Sequence, residues 1–502
     1  MANVEKCIFE YFAAYAEECA DDLFLLDEER GYSVLDTFRE TIAIGNRLHD
    51  FGVREGSLVV LRCTRSVDAY LIFLAIEFIG ATAVLTDPHQ TATEFLQETR
   101  LPVQADFIIT NEAAAQGISA NHHWQVLCHG PLEIGFPARH EDRRFSVGKN
   151  LRTPATIVFT SGSTGASKGS MLCQESLLQY AEDSIQQDWH LPGDIAIVTL
   201  PTQHGFALCL LMAAFVARYA LFFPRDMGVD YVLDCIERYR ITRINGVPSY
   251  MYALARANEK KPRDLLTLRT GFTAGAPIVP EQHRYIEEVL GMTLHPLYGM
   301  SESISIACTS PSDSAHCRCT TVGRFHRGAG TILDQNGREL PVGYEGEICV
   351  SGPAILLGYY ASEEATRQAI DEKGRLHTGD LGYVDEKGYL HITGRIKNII
   401  IRNGINISPA KIEAFLRKIP QVENAIVVGI PHELLGESPC ALVVLRENCE
   451  ISADEIRAFL HCKLAKNEIP ERILFTPEIP LNHIGKPDKN KITALFQQRR
   501  HE

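Results

Sequence analysis

Short apolar runs alternate along the chain with stretches of helical spacing. Ser57–Cys63 (SLVVLRC) is a continuous β-type run, Val67–Ile79 has the length and character of a buried helix, and Ala81–Leu85 is the next strand. Asp106–Thr110, Ile195–Leu200 and Arg243–Val247 are further strands by the same pattern, and Tyr231–Arg240 has helical spacing. Strands alternating with helices imply parallel sheets covered on both faces. The character changes after about Gly323. From Gly330 to Gly394, glycine-bounded segments come quickly, and Gln335-Asn336-Gly337 and Glu386-Lys387-Gly388 stand between alternating runs as the turns of antiparallel hairpins do. Beyond Arg395 a hairpin (Ile396–Ser408), a helix (Pro409–Lys418), two strands (Ala425–Ile430 and Cys440–Leu445) and a helix (Ser452–Leu464) make an α+β unit the size of a small domain. The boundary falls near Gly394–Lys397, which divides the chain into residues 1–394 and 395–502.

Length agrees with this division, since 502 residues exceed one ordinary core. Hydrophobic residues at 45% and charged residues at 22% are those of a globular protein. With 49 basic and 63 acidic side chains the formal charge is −14, which argues against a nucleic-acid binder with a broad basic face. A polyphosphate would have to be held by local donors and a metal ion. The 14 cysteines follow no regular spacing and MANVEKCIFEYF has no signal-peptide pattern, so the expectation is a reduced, cytoplasmic protein. Leu71–Leu85 is apolar but short and interrupted by Glu77, as a buried helix leading into a buried strand would be, not a transmembrane segment. His316-Cys317-Arg318-Cys319 has no second ligand pair at suitable spacing and reads as an ordinary loop with free thiols.

The densest chemistry lies at Thr160-Ser161-Gly162-Ser163-Thr164-Gly165-Ala166-Ser167-Lys168-Gly169, directly after the apolar run Thr156–Phe159. Glycines let backbone N–H groups turn inward, hydroxyls add donors and the lysine adds charge, a combination suited to phosphate. Ser167 before Lys168 excludes a Walker loop, which requires Gly-Lys-Ser/Thr.

This loop resembles the signature of the adenylate-forming superfamily, which includes acyl-CoA synthetases, luciferase-type enzymes and the adenylation domains of peptide synthetases. Ser167 stands where that signature usually has proline. Other segments resemble the family's in the expected order: Thr273–Ile278 (TAGAPI), Leu297–Glu302 (LYGMSE), His377-Thr378-Gly379-Asp380, Thr393–Glu413 and Pro480–Lys486 (PLNHIGK). The resemblance spans nearly the whole chain. It implies an α/β fold with a large N-terminal domain of α/β sheets, a small β-barrel-like subdomain and a small mobile α+β C-terminal domain.

Site roles follow residue by residue from the resemblance. The resemblance implies that Thr160–Gly165 and Lys168 hold the triphosphate of ATP, and that Gly275, Ala276 and Gly299 line the nucleotide. Tyr298 would lie along adenine, Ser301 would touch the α-phosphate, and Glu302 would hold Mg²⁺, a cation that takes oxygen ligands. Asp380 would accept hydrogen bonds from ribose hydroxyls, with Arg395 contacting ribose and phosphate. Lys486 would bridge the attacking carboxylate and the α-phosphoryl group, two anions that need a cation between them. Lys397 matches the hinge, and Gly404 the glycine lining the pantetheine tunnel, for which a simple hairpin glycine is the competing reading.

His204, in Leu200–Gly205, stands where acyl- and aryl-CoA ligases have a histidine near the carboxylate. Amino-acid-activating domains commonly place an aspartate near here, and PTQHGFAL has none. Val247, Gly275, Met300 and Ile304 join His204 in an apolar acid pocket for a fatty or aryl acid. The leading expectation is an ATP-dependent acid–CoA ligase using ATP, Mg²⁺ and coenzyme A. An adenylating enzyme loading a carrier-protein phosphopantetheine is the alternative, and a non-catalytic nucleotide-binding relative the remote one. The oligomeric state stays open, a homodimer included.

Overall fold

The computed structural model describes residues 4–88, 106–111, 125–129, 143–160, 168–186, 189–191, 193–326, 329–403, 405–432, 434–481 and 487–498. By internal contacts the chain forms two units, residues 1–330 with 350–376 and residues 331–349 with 377–502. The first unit holds two large sheets. One has nine strands, in the order Arg324–Phe325, Ser303–Cys308, Thr293–Met300, Thr270–Thr273, Arg243–Gly246, Ile195–Ile197, Ala220–Phe222, Leu23–Leu26 and Gly31–Ser33. It is parallel from Thr293–Met300 to Leu23–Leu26, with antiparallel strands at both edges. The other has seven strands, in the order Gly358–Tyr359, Lys168–Cys173, Pro154–Thr160, Thr82–Leu85, Leu58–Arg62, Phe107–Asn111 and Gln125–His129. It is parallel from Pro154–Thr160 onward.

One continuous apolar cluster takes side chains from both sheets. Helix Gly205–Ala217 (GFALCLLMAAFVA) has no polar face and is buried over nearly its whole length within that cluster, the only stable place for such a helix. Val67–Ile79 is the helix expected from the sequence, capped by the Ser66 hydroxyl and stopped by Gly80 in the left-handed region. Among the described residues no helix is long and apolar enough to cross a membrane.

The second unit contains a four-stranded sheet, Gly330–Leu333, Gly346–Val350, Leu376–Val384 and Leu390–Arg395, and a five-stranded sheet built on the long pair Val422–His432 and Gly436–Leu445. Residues alternate between two apolar clusters along Ala425–Ile430. Ala425 and Val427 face helices Pro409–Leu416 and Ala453–His461, while Ile426, Val428 and Ile430 face helix Lys489–Gln498. Strand Leu390–Arg395 crosses position 394/395 and pairs with Leu376–Val384.

Three expectations are corrected. The strand predicted over Ile195–Leu200 ends at Ile197, because beyond Val198, whose N–H still donates to the Phe222 carbonyl at 2.8 Å, ladder pairing gives way to the Thr199 hydroxyl's bond to the Asn245 carbonyl. His316–Cys319 is not a loop but lies in the short helix Ala315–Thr320, whose Ser314 hydroxyl accepts from the Cys317 N–H; Cys317 and Cys319 are free thiols. The stretch read as antiparallel hairpins also contains helix Glu363–Ala369, and its strand Gly358–Tyr359 joins the seven-stranded sheet.

Candidate active site

Strand order locates the site in the first unit. From Ile195–Ile197 the chain crosses to Ala220–Phe222 on one side, then returns to Arg243–Gly246 on the other. The loops after these two adjacent strands therefore part in opposite directions and open a crevice at their carboxyl ends, where α/β sheets bind ligands. Thr199 Oγ1 donates to the Asn245 carbonyl across this opening, and Asn245 Oδ1 accepts from the Phe272 N–H at 3.2 Å.

The sequence-predicted acid-pocket residues stand along this edge. His204 is half-buried and starts helix Gly205–Ala217; its carbonyl accepts from the Ala207 and Leu208 N–H groups, while its imidazole does not cap the helix. A Cβ on Gly205 would stand 3.0 Å from Ile304 Cγ2 and 3.9 Å from the Met300 carbonyl oxygen, so the residue that follows His204 packs against Met300 and Ile304. Gly275 (φ +84°) and Ala276 are exposed in the loop after Thr270–Thr273, and a Cβ on Gly275 would lie 3.6 Å from Val247 Cγ1. Beneath the His204 loop, Cys63, Tyr70, Thr86, Thr202 and Gln203 line a cavity of about 20 Å³. That is room for about one water and not for an acyl group.

The segment Tyr298–Glu302 closes the same edge. Met300 pairs with Ser303, which leaves Ser301 and Glu302 as the two residues of a hairpin turn. Tyr298 and Glu302 are buried and Ser301 half-buried. Gly299 allows this fold, because a Cβ there would meet the Ile304 carbonyl oxygen at 2.4 Å.

Lys168 arrives at this turn from the seven-stranded sheet. Thr160 and Lys168 are opposed across the antiparallel pair Pro154–Thr160 and Lys168–Cys173. Ser161, Gly162, Ser163, Thr164 and Gly165 lie outside the described residues. The Lys168 ammonium stands 4.9 Å from the centroid of the Tyr359 ring, and the Tyr359 hydroxyl donates to Glu302 Oε1 at 2.6 Å. Burial and the Glu302 carboxylate push the Tyr359 hydroxyl well above the usual phenol range.

In the second unit, Asp380 and Arg395 are opposed on adjacent strands and form an ion pair through Arg395 Nε and Asp380 Oδ1. Glu347 braces the strand just before Asp380: Oε1 accepts from the Gly379 N–H at 3.0 Å and Oε2 lies 2.7 Å from His377 Nδ1. Thr378 Oγ1 donates to the Ile348 carbonyl and accepts from the Asp380 N–H. Lys397 is exposed in the 3₁₀ turn Ile396–Asn398, which joins Leu390–Arg395 to Ile400–Arg402. Gly404 and Lys486 lie outside the described residues. Sequence reasoning missed Tyr359 and Glu347. Tyr359 carried only a Gly-Tyr pair as signal, and Glu347 an acidic residue after a glycine.

A lysine at the end of an antiparallel pair, a buried carboxylate in a hairpin turn and a reversal of strand order at the carboxyl edge of a parallel sheet are the features of a ligand-binding α/β protein. The family model for AMP-binding enzymes matches residues 12–360, and that for the AMP-binding enzyme C-terminal domain matches residues 411–486. The chain therefore belongs to the AMP-binding enzyme family and is an adenylate-forming enzyme. It is 33% identical over 383 residues to a putative acyl-CoA synthetase, YngI, of Bacillus subtilis (strain 168), covering 75% of this chain and 69% of that one. It is 28% identical over 473 residues to a 2-succinylbenzoate–CoA ligase of Bacillus cereus (strain Q1), covering 94% and 95% of the two chains. Among solved structures it superposes on the amide bond synthetase McbA of Marinactinospora thermotolerans with a TM-score of 0.88 at 26% identity, covering 97% of this chain and 99% of that one.

Proposed function

We propose that this protein is an ATP-dependent carboxylic acid–CoA ligase acting through an acyl-adenylate on a fatty or aryl acid. The observation that carries the reading is the meeting of Lys168 and Glu302 through Tyr359, at the edge that also presents His204, Met300 and Ile304. In the first half-reaction a carboxylate oxygen attacks the α-phosphorus, the bond to the bridging α–β oxygen breaks, and acyl-AMP and pyrophosphate form. Both reactants are anions, so cations must lie where charge develops. Lys168 orients the departing pyrophosphate, and Lys486 bridges the carboxylate and the α-phosphoryl group. Tyr298 lies along adenine, with Gly275, Ala276 and Gly299 leaving room for the nucleotide. Asp380 accepts from the ribose hydroxyls, with Arg395 beside it.

Glu302 Oε2 has no hydrogen-bond partner among the described residues, and the neighbouring Ser301 adds a hydroxyl. This oxygen donor set suits Mg²⁺. Bound there, the ion would neutralise phosphate charge. In the second half-reaction the CoA thiolate attacks the acyl carbonyl carbon and the bond to AMP breaks. We place the moving domain at residues 395–502, with Lys397 as hinge and Gly404 beside the pantetheine arm, and the enzyme in the cytoplasm.

The test is pyrophosphate release across fatty, aryl and amino acids, with thioester formation followed by mass spectrometry. The expected result is release with a fatty or aryl acid and acyl-CoA when CoA is added. No release with any acid refutes the reading. Release without acyl-CoA refutes CoA as acceptor, and arms with a carrier-protein phosphopantetheine and with amines then identify it. The amine arm is included because of the likeness to an amide bond synthetase.

A further inference from the structure

The short strand Gly358–Tyr359 is stitched to the strand that begins at Lys168. Gly358 opposes Met171 and Tyr359 opposes Ser170; the Met171 carbonyl accepts from the Leu357 N–H and the Gly169 carbonyl from the Tyr360 N–H, both at 2.8 Å. The same segment grips Glu302 at two points. The Leu356 N–H donates to the Glu302 carbonyl at 2.7 Å, and the Tyr359 hydroxyl donates to Oε1 at 2.6 Å. Thr366 Oγ1 holds Tyr359 from behind by accepting its N–H at 2.8 Å.

We infer that Tyr359 is a positioning residue that couples Lys168 to Glu302, its ring serving the lysine and its hydroxyl the carboxylate. Glu302 is 7% exposed, and a carboxylate so placed needs a donor. The tyrosine O–H supplies a charge-assisted bond that fixes the rotation of the carboxyl, with Oε1 turned to Tyr359 and Oε2 left to a ligand. At 4.9 Å the Lys168 ammonium lies within cation–π range of the same ring, which keeps the lysine beside the carboxylate. One rigid side chain thus sets the spacing between a cation and an anion that belong to different sheets. The inference rests on the reading of Glu302 as a Mg²⁺ ligand and Lys168 as a phosphate-holding residue.

Phenylalanine keeps the ring and removes the hydroxyl, whereas leucine removes both. Calorimetric titration of the full chain with ATP, once in MgCl₂ and once in EDTA, separates the two arms. Tyr359→Phe is expected to weaken ATP binding about tenfold in MgCl₂, the loss of one hydrogen bond to a charged group, and less than twofold in EDTA. Tyr359→Leu is expected to weaken it in both media. Tyr359→Phe binding as tightly as the native protein in MgCl₂, or losing equally in both media, overturns the coupling. Glu302→Gln is titrated alongside. If it shows the Mg²⁺-dependent loss and Tyr359→Phe does not, the coupling alone fails. If Glu302→Gln binds ATP in MgCl₂ as the native protein does, the reading of Glu302 fails and the coupling with it.

Discussion

Helix Val67–Ile79 carries one carboxyl into the core, and its ionisation gives a sharp test of how the seven-stranded sheet is held. Glu77 is 1% exposed; its Oε1 accepts from Thr156 Oγ1 at 2.8 Å and its Oε2 from Gln174 Nε2 at 3.4 Å. Burial pushes its pKa from 4.5 up to about 8, against the smaller opposing effect of those two hydrogen bonds. The folded protein therefore keeps a proton that the unfolded chain has lost between these values. Stability is full below the unfolded pKa of 4.5, falls as pH rises, and reaches its lowest level above about 8. The whole displacement corresponds to on the order of 5 kcal/mol, and the part between pH ~6 and ~8 to about 3 kcal/mol. Glu77→Gln retains an acceptor for Thr156 and cannot ionise. Its stability is expected to stay level across that interval while the native protein declines, so that the two profiles converge or cross toward alkaline pH. The assay is urea unfolding of both proteins at closely spaced pH values. Parallel profiles, differing by a constant offset, would refute a buried Glu77 that is neutral at pH 7. Thr156 lies on the strand that ends at Thr160, so the same experiment reports on the support of the phosphate loop.

Asp194 binds Arg243, which is fully buried, at the amino ends of the nine-stranded sheet; Asp194→Ala leaves that charge unpaired and is expected to cost about 3–5 kcal/mol in denaturant unfolding. An unchanged midpoint would count against a structural ion pair there. Gly299→Ala drives a methyl against the Ile304 carbonyl at 2.4 Å, and the displaced Tyr298–Glu302 turn is expected to weaken ATP binding at least tenfold; native affinity by calorimetry would contradict this. Lys486→Ala is expected to lower pyrophosphate release by a hundredfold or more while largely sparing thioester formation from supplied acyl-AMP. Equal loss of both steps in rapid-quench assays would remove Lys486 from its assigned role.

Some elements follow from local pattern alone. Val67–Ile79 is helical because thirteen mostly apolar residues, Asp68 and Glu77 excepted, lie between a serine cap and a glycine stop, and the strands Ala425–Ile430 and Cys440–Leu445 follow from their continuous apolar runs. The chemical inventory is local in the same way. Hydroxyls, glycines and Lys168 after a β-run, the LYGMSE segment and His-Thr-Gly-Asp are all legible as written. Where an element stops is less so: Ile195–Leu200 reads as one strand, yet the strand ends at Ile197.

The arrangement of these parts was decided by tertiary structure. No periodicity announces that Ile195–Ile197 and Arg243–Gly246 lie side by side with their following loops parting, because strand order depends on long-range pairing. Tyr359 looks like any tyrosine after a glycine until its strand pairs beside Lys168 and its hydroxyl reaches Glu302. Glu347 likewise gains its role only when its strand places it under the Gly379 N–H. The sequence by itself determined which side chains can bind phosphate, carry charge or fill a core, since that depends on covalent chemistry and local spacing. Only the fold decided which of them meet, because contacts between distant segments are chosen by how whole sheets bury their faces.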